Sequence, residues 1–321
     1  MVELEKKEVE RIPEKTGFYY LSGSEGILFA GKTSNLQKSI RRILFPDKDD
    51  KNLFQLASLT QKIFFRETDS LFNALLEEKK ILQTHAPEFN RMIHEYENYV
   101  YLAIDFNQIP FLRISDSTAE NFYYLGPFQD RFFLYDFFDA MTCLFRFPFC
   151  ETEKYPCDKL TEKICDSWCL KERPEIMELL INSYLLVNRS LLKKAENQRG
   201  KMLEHLNFLK LETLKEQISL IERYYDYLRF FHITKKLKTA ISLPDKNITI
   251  SGGMISKIEE KGKMRTFDNF QPDHRRNELL AHDKNQFTER LIIYRELKKN
   301  RLNPIELILK DSSEEMKKNL V

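Results

Sequence analysis

The chain has 321 residues, 42% of them hydrophobic, which is enough for two or three packed units with real cores. Its 51 basic and 49 acidic residues leave a net charge of +2, which excludes a wholly basic nucleic-acid binder and confines any anion-binding surface to a local patch. The apolar runs are short and broken by charge, too short for a membrane span, and the opening MVELEKKEVERIPEK has neither the apolar core of a secretion signal nor the acid-poor character of a transit peptide, so a cytoplasmic protein with no membrane association is expected.

Gly17-Phe18-Tyr19-Tyr20-Leu21 and Ile27-Leu28-Phe29-Ala30-Gly31 read as two strands joined by the turn Gly23-Ser24-Glu25-Gly26. A helix follows, capped by Ser34, with Leu36, Ile40, Ile43 and Leu44 as its apolar stripe and Pro46 beyond its end. Lys62 to Glu67 reads as a third strand, and Leu71 to about Thr84 as a second helix stopped by Pro87. On that helix Leu71, Ala74, Leu75, Ile81 and Leu82 define a core-facing stripe, and Glu78 lies on the same face. An ionised carboxylate buried there needs an arginine, a metal ion or another cation, unless it opens into a cleft or lies half exposed at the helix edge.

Tyr99 to Ile104 and Ile109 to Ile114 form a second hairpin turning near Asn107, followed by the Phe- and Tyr-rich stretch Asn121 to Phe149. Four of the five cysteines come next, as Cys150-x6-Cys157-x7-Cys165-x3-Cys169, while Cys143 stands apart and is expected in the core. In a reducing compartment this quartet reads as a metal site. The intervals are wider than the CxxC pairs typical of zinc, which favours a 4Fe-4S cluster held by four thiolates over zinc, with four buried apolar thiols as the alternative. From about Pro174 to Phe231 the pattern is helical and charged, and apolar positions at Leu203, Leu206, Leu211, Leu214, Ile218 and Ile221 suggest a helical hairpin. Beyond Ile233 lie a strand pair, Ile248 to Ile250 and Met254 to Ile258, and a helix from Gln286 to Lys299. The expected architecture is α+β, with regions at 1–95, 96–172, 173–232 and 233–321. Two basic clusters, Lys32, Lys38, Arg41 and Arg42, and Arg265, Arg275 and Arg276, are candidate anion-binding patches, or else solvated surfaces.

Together these residues resemble the N-terminal half of the UvrC and Cho family of nucleotide-excision-repair nucleases, which carries a GIY-YIG endonuclease domain. Pro13 to Leu44 is similar to that domain's hairpin and helix, Thr68 to Asn90 (TDSLFNALLEEKKILQTHAPEFN) to its Glu-bearing helix with the following proline and asparagine, and Tyr99 to Ile114 to the next hairpin. Tyr124-Leu125-Gly126-Pro127-Phe128 resembles the family's Gly-Pro-aromatic segment, and Pro156-Cys157-x7-Cys165-x3-Cys169 its cysteine cluster, although the gap from Cys150 is short. Met202 to Ile218 looks like the UVR hairpin that docks on UvrB, with Phe208 at the contact, but Leu211-Glu212 replaces the usual small residues. UvrC continues into an RNase H-like nuclease and a helix-hairpin-helix tail. Only Gly200, Gly252, Gly253 and Gly262 follow the cysteines here, too few for paired hairpin loops, and the length is closer to Cho.

The resemblance places Tyr19, Lys32, Glu78 and Asn90 at the family's first tyrosine, motif lysine, Mg²⁺-binding glutamate and asparagine. Three catalytic positions depart: Phe29 stands for the second tyrosine, Ser39 for the arginine and Ile43 for another tyrosine. What the resemblance implies is therefore a DNA-binding repair protein whose nuclease centre is impaired. Arg42, three residues after Ser39, could instead supply the missing cation and keep a rewired centre alive. Tyr20 is a poor replacement for Phe29, since adjacent strand residues face opposite ways. A redox-responsive regulator built on the cysteine cluster is a further alternative.

Overall fold

The computed structural model describes residues 1–46, 50–93, 96, 98–104, 112–118, 122–145, 158–164, 189–204, 208–267 and 280–299. Contacts divide the chain into two compact units, Met1–Glu97 and Asn98–Val321, and the expected regions 173–232 and 233–321 both fall within the second.

In the first unit, strands β1 (Val2–Glu5), β2 (Gly17–Gly23), β3 (Gly26–Thr33) and β4 (Lys62–Glu67) form an antiparallel sheet in the order β1-β4-β2-β3. Side-chain alternation gives the sheet two apolar faces. Tyr19, Leu21 and Phe29 pack with Leu36, Ile40, Ile43 and Leu44 of α1 (Leu36–Leu44) and with Leu56 of α2 (Lys51–Leu59). Phe18, Tyr20 and Ala30 pack with Leu71, Ala74, Ile81 and Leu82 of α3 (Leu71–His85). The expected stripe of α1 is buried at all four positions, but its cap is Asn35, whose side chain accepts from the Lys38 backbone N–H. Ser34 lies one residue too early to fill that role. Ser70 caps α3, which ends at Ala86 in a left-handed conformation before Pro87.

The second unit begins with β5 (Val100–Ile104), β6 (Leu112–Ser115) and β7 (Tyr123–Phe128), then α4 (Arg131–Phe145) and the short α5 (Asp158–Thr161). Helices α6 (Ser190–Glu204) and α7 (Phe208–Lys236) pack together and lead to β8 (Lys238–Leu243), β9 (Lys246–Ser251), β10 (Met254–Glu260) and β11 (Lys263–Thr266), an antiparallel meander. Strand β12 (Leu280–Ala281) joins the first sheet in parallel with β7, giving the order β12-β7-β5-β6, and α8 (Lys284–Lys299) follows. The described part of the aromatic stretch forms β7 and α4, and Tyr124, Phe128, Phe133, Phe137 and Phe138 lie in the core while Phe132 is exposed. Phe137 stacks on Tyr224 of α7 at 4.2 Å, Phe128 on the same ring at 6.0 Å, and Phe230 meets Phe287 of α8 edge to face. Cys143 is exposed rather than buried, because α4 turns Leu134, Phe137, Phe138 and Met141 inward and leaves position 143 on the other side. No helix among the described residues is long and apolar enough to cross a membrane.

A buried polar cluster joins the end of α7 to the β9–β10 turn, β12 and α8. Arg290, 4% exposed, donates from Nη1 to the carbonyls of Thr234 (3.2 Å) and Gly252, and from Nη2 to Gln286 Oε1 (2.8 Å). The Thr234 carbonyl belongs to the last turn of α7, where carbonyls lack helical partners and a cation is favoured. Burial pulls the Arg290 pKa down to about 10, which leaves it protonated at neutral pH. Gly253 of the turn has a positive φ of 72°, and a Cβ there would lie 2.7 Å from the Thr234 carbonyl oxygen, so only glycine fits. His282 Nε2 lies 2.9 Å from Thr234 Oγ1, and Tyr101 Oη donates to the His282 carbonyl. Burial, and after it the charges of Arg290 and Lys235, hold the His282 pKa well below its ordinary value. A histidine depressed in the folded state is protonated first in the unfolded chain, so its contribution to stability is complete above about pH 6.5 and is lost as pH falls below that value. Denaturant unfolding between pH 7.5 and 5 is expected to show a loss of up to about 1.4 kcal/mol per pH unit from this residue, and His282→Gln to flatten the dependence.

Candidate functional site on an edge strand

Strand β3 is at the edge of its sheet, and the sequence-predicted residues of the first unit gather around it. Alternation sends Ala30 and Lys32 toward α3, and Phe29, Gly31 and Thr33 toward α1. On the α3 side, Lys32 Nζ donates to Glu78 Oε2 at 2.7 Å. Glu78 is 7% exposed, so the carboxylate placed on an apolar stripe does meet a cation, and that cation is Lys32.

On the α1 side, Tyr19 pairs across the strands with Gly31, and its ring lies over that residue. A Cβ at position 31 would stand 2.8 Å from both Tyr19 Cζ and Oη, which gives this glycine a packing role. The Phe29 ring is 6.2 Å from that of Tyr19. Ser39 Oγ and Thr33 Oγ1 are 2.6 Å apart, so the Ser39 hydroxyl is engaged with the end of β3. Ile43 is buried in the core. Tyr20 faces the other way and stacks on Phe64 at 4.7 Å, and burial raises its pKa.

Asn90 occupies the free edge of β3 as a neighbouring strand would. The Ala30 N–H donates to Asn90 Oδ1 at 2.8 Å, and Asn90 Nδ2 donates to the Ala30 carbonyl at 2.7 Å. This residue positions the strand that carries Phe29, Gly31 and Lys32. Asn90→Ala strips both partners from a buried backbone unit and is expected to lower stability by about 2 kcal/mol in urea unfolding.

The basic face of α1 is open to solvent at Lys38, Arg41 and Arg42, with Arg41 Nη1 donating to both carboxylate oxygens of Glu10 at 2.6 and 2.8 Å. Arg265 is exposed on β11, whereas Arg275 and Arg276 lie outside the described residues. So do Cys150, Cys157, Cys165 and Cys169, and the side chain of Phe208 at the start of α7. Among the described residues no three His, Cys, Asp or Glu side chains converge on a metal position. A single carboxylate still suits Mg²⁺, which keeps most of its waters and takes one or two protein carboxylates. Glu78 therefore fits such an ion, in competition with the Lys32 ammonium.

No family model matches the chain. Among curated proteins it is similar to the UvrABC system protein C of Fervidobacterium nodosum, 25% identical over 268 residues, covering 78% of this chain and 44% of that protein. It is also similar to the UvrABC system protein C of Methanococcus maripaludis, 22% identical over 266 residues, covering 80% and 47%. The chain thus spans about half the length of these relatives. Among solved structures it is similar to the GIY-YIG N-terminal endonuclease domain of UvrC from Thermotoga maritima bound to magnesium, with a TM-score of 0.25 and 19% identity, covering 26% of this chain and 93% of that one. In sequence, across most of its length, the chain is UvrC-like.

Proposed function

We propose that this protein binds DNA in nucleotide-excision repair and that its GIY-YIG endonuclease centre is impaired. The observation that carries the reading is the state of two of the three replaced positions: Phe29 puts an apolar ring beside Tyr19, and Ser39 is a short hydroxyl held to Thr33. Phosphodiester hydrolysis needs a base or orienting group for water and a cation against the charge that develops on phosphorus. A phenyl ring accepts no proton, and a serine engaged with a threonine supplies no positive charge. A divalent cation on Glu78 would contribute Lewis-acid stabilisation when bound. Tyr19 retains its hydroxyl and Asn90 holds β3 in place, so the scaffold is kept while the groups expected at positions 29, 39 and 43 are gone.

The DNA contact is assigned to Lys32, Lys38, Arg41 and Arg42. Arg41 and Glu10 form an exposed pair of the kind that contributes little to stability, so exchanging the carboxylate for a phosphate is inexpensive. With three exposed α1 cations engaged, the affinity for duplex DNA is expected to fall with salt at a log–log slope of about −3. Fluorescence anisotropy checks this. The slope should shrink by about one in Lys38→Ala or Arg42→Ala, and salt-insensitive binding would overturn the assignment.

From the spacing of the four cysteines we assign a 4Fe-4S cluster, with zinc as the alternative, to Cys150, Cys157, Cys165 and Cys169. UvrB is assigned as partner to the helical pair around Phe208. Anaerobic purification with iron and sulfide analysis tests the first, and co-elution with UvrB, lost in Phe208→Ala, tests the second.

A further inference from the structure

We propose that Lys32 gates the Glu78 cation position, so that a divalent cation and a nucleic-acid phosphodiester bind cooperatively. The proposal rests on reading Glu78 as the carboxylate that holds the cation. Glu78 is fixed in the middle of α3, with its side chain 9% exposed, while the Lys32 side chain is 20% exposed and extends from an edge strand on a flexible four-carbon stem. Of the two partners, the lysine is the one that can leave.

The paired state is neutral. Adding a divalent cation while Lys32 stays at 2.7 Å would gather three positive charges on one carboxylate in a partly desolvated place, where like-charge repulsion is strong. Metal entry therefore requires the ammonium to move to another anion. A phosphodiester is the anion class that fits, because β3 leads directly into the basic helix α1, with Lys38 and Arg42 exposed along it. A nucleic-acid strand held by α1 that brings a phosphodiester to the edge of β3 draws Lys32 off Glu78 and leaves the carboxylate to the metal. By thermodynamic reciprocity, bound metal frees Lys32 and tightens DNA binding by the same factor.

The test is Mn²⁺ binding to the whole chain, read by electron paramagnetic resonance of free Mn²⁺, with and without a short duplex that a gel shows to remain intact. Mn²⁺ held by duplex alone is subtracted. Wild type, Lys32→Met, Lys32→Gln and Glu78→Gln are compared, the glutamine variant at position 32 guarding against a methionine variant that folds poorly. Wild-type Mn²⁺ affinity at the Glu78-dependent site is expected to rise about tenfold or more with duplex, and both Lys32 variants to bind at least about tenfold more tightly than wild type without it, with little further gain from duplex. Equal Mn²⁺ affinity of wild type and the Lys32 variants in the absence of duplex overturns the gate while leaving Glu78 as the metal carboxylate. Mn²⁺ binding that Glu78→Gln does not change, with or without duplex, overturns the reading of Glu78 itself and the gate with it.

Discussion

The double variant Phe29→Tyr with Ser39→Arg is expected to nick a lesion-bearing duplex in Mg²⁺ on the order of 10² to 10⁴ times faster than wild type. Restoring a proton-accepting hydroxyl and restoring a cation each act at the transition state, and a single group of either kind is worth about 10² to 10³ or more in rate. The two effects need not multiply, because groups that act as a unit are strongly non-additive. The structure supplies the setting: residue 29 is one strand away from Tyr19, and residue 39 stands beside Thr33 where β3 ends. Each single variant is expected to gain less than the pair. A single-turnover nicking assay makes the comparison, and a double variant that folds, binds DNA and cuts no faster than wild type would mean that the missing groups are not what limits the centre.

The second large effect concerns stability. Arg290→Met is expected to lower the unfolding free energy of the second unit by about 3 to 5 kcal/mol, because it strips a buried charged donor from two backbone carbonyls and the Gln286 side chain at once. The lost contacts join the last turn of α7, the Gly252-Gly253 turn and α8, so the damage reaches three elements. Guanidinium unfolding of the full chain, followed by Tyr and Trp fluorescence, measures it. A loss below about 1 kcal/mol would show that the methionine fills the site and that the carbonyls find other donors.

Sequence patterning was most informative where one face of an element is buried and the other wet. The run Lys62–Glu67 has the bounds of β4, and the α1 stripe falls on four buried residues. Strand β1 and helix α2 escaped notice for the opposite reason. α2 buries only Leu56 and Ala57 while exposing Phe54 and Leu59, so no stripe can be seen. In the aromatic stretch of β7 and α4 apolar residues dominate so heavily that neither period stands out. β11 is exposed at every position and is defined by its ladder with β10, which sequence does not display.

The site divides in the same way. Glu78 was legible because a carboxylate on an apolar stripe is costly. Its partner was not, because whether α3 packs on the Lys32 face of the sheet is a tertiary fact. Arg290 carries the signal that Glu78 carried, lying among Phe287, Ile293, Tyr294 and Leu297 on one face of α8, and reading that helix with the same question would have found it. Asn90 shows a different limit: its amide serves as a surrogate strand for Ala30, a role that depends on sixty residues of intervening fold.

Most direct for the central claim is single-turnover nicking of a lesion-bearing duplex by the wild-type chain in Mg²⁺ or Mn²⁺, with UvrA and UvrB, beside Glu78→Ala and with DNA binding measured on the same samples. An impaired centre on a DNA-binding protein predicts that both proteins bind the duplex and that neither cuts it above background. Efficient wild-type nicking that disappears in Glu78→Ala would contradict the account and point to a centre rewired around Arg42.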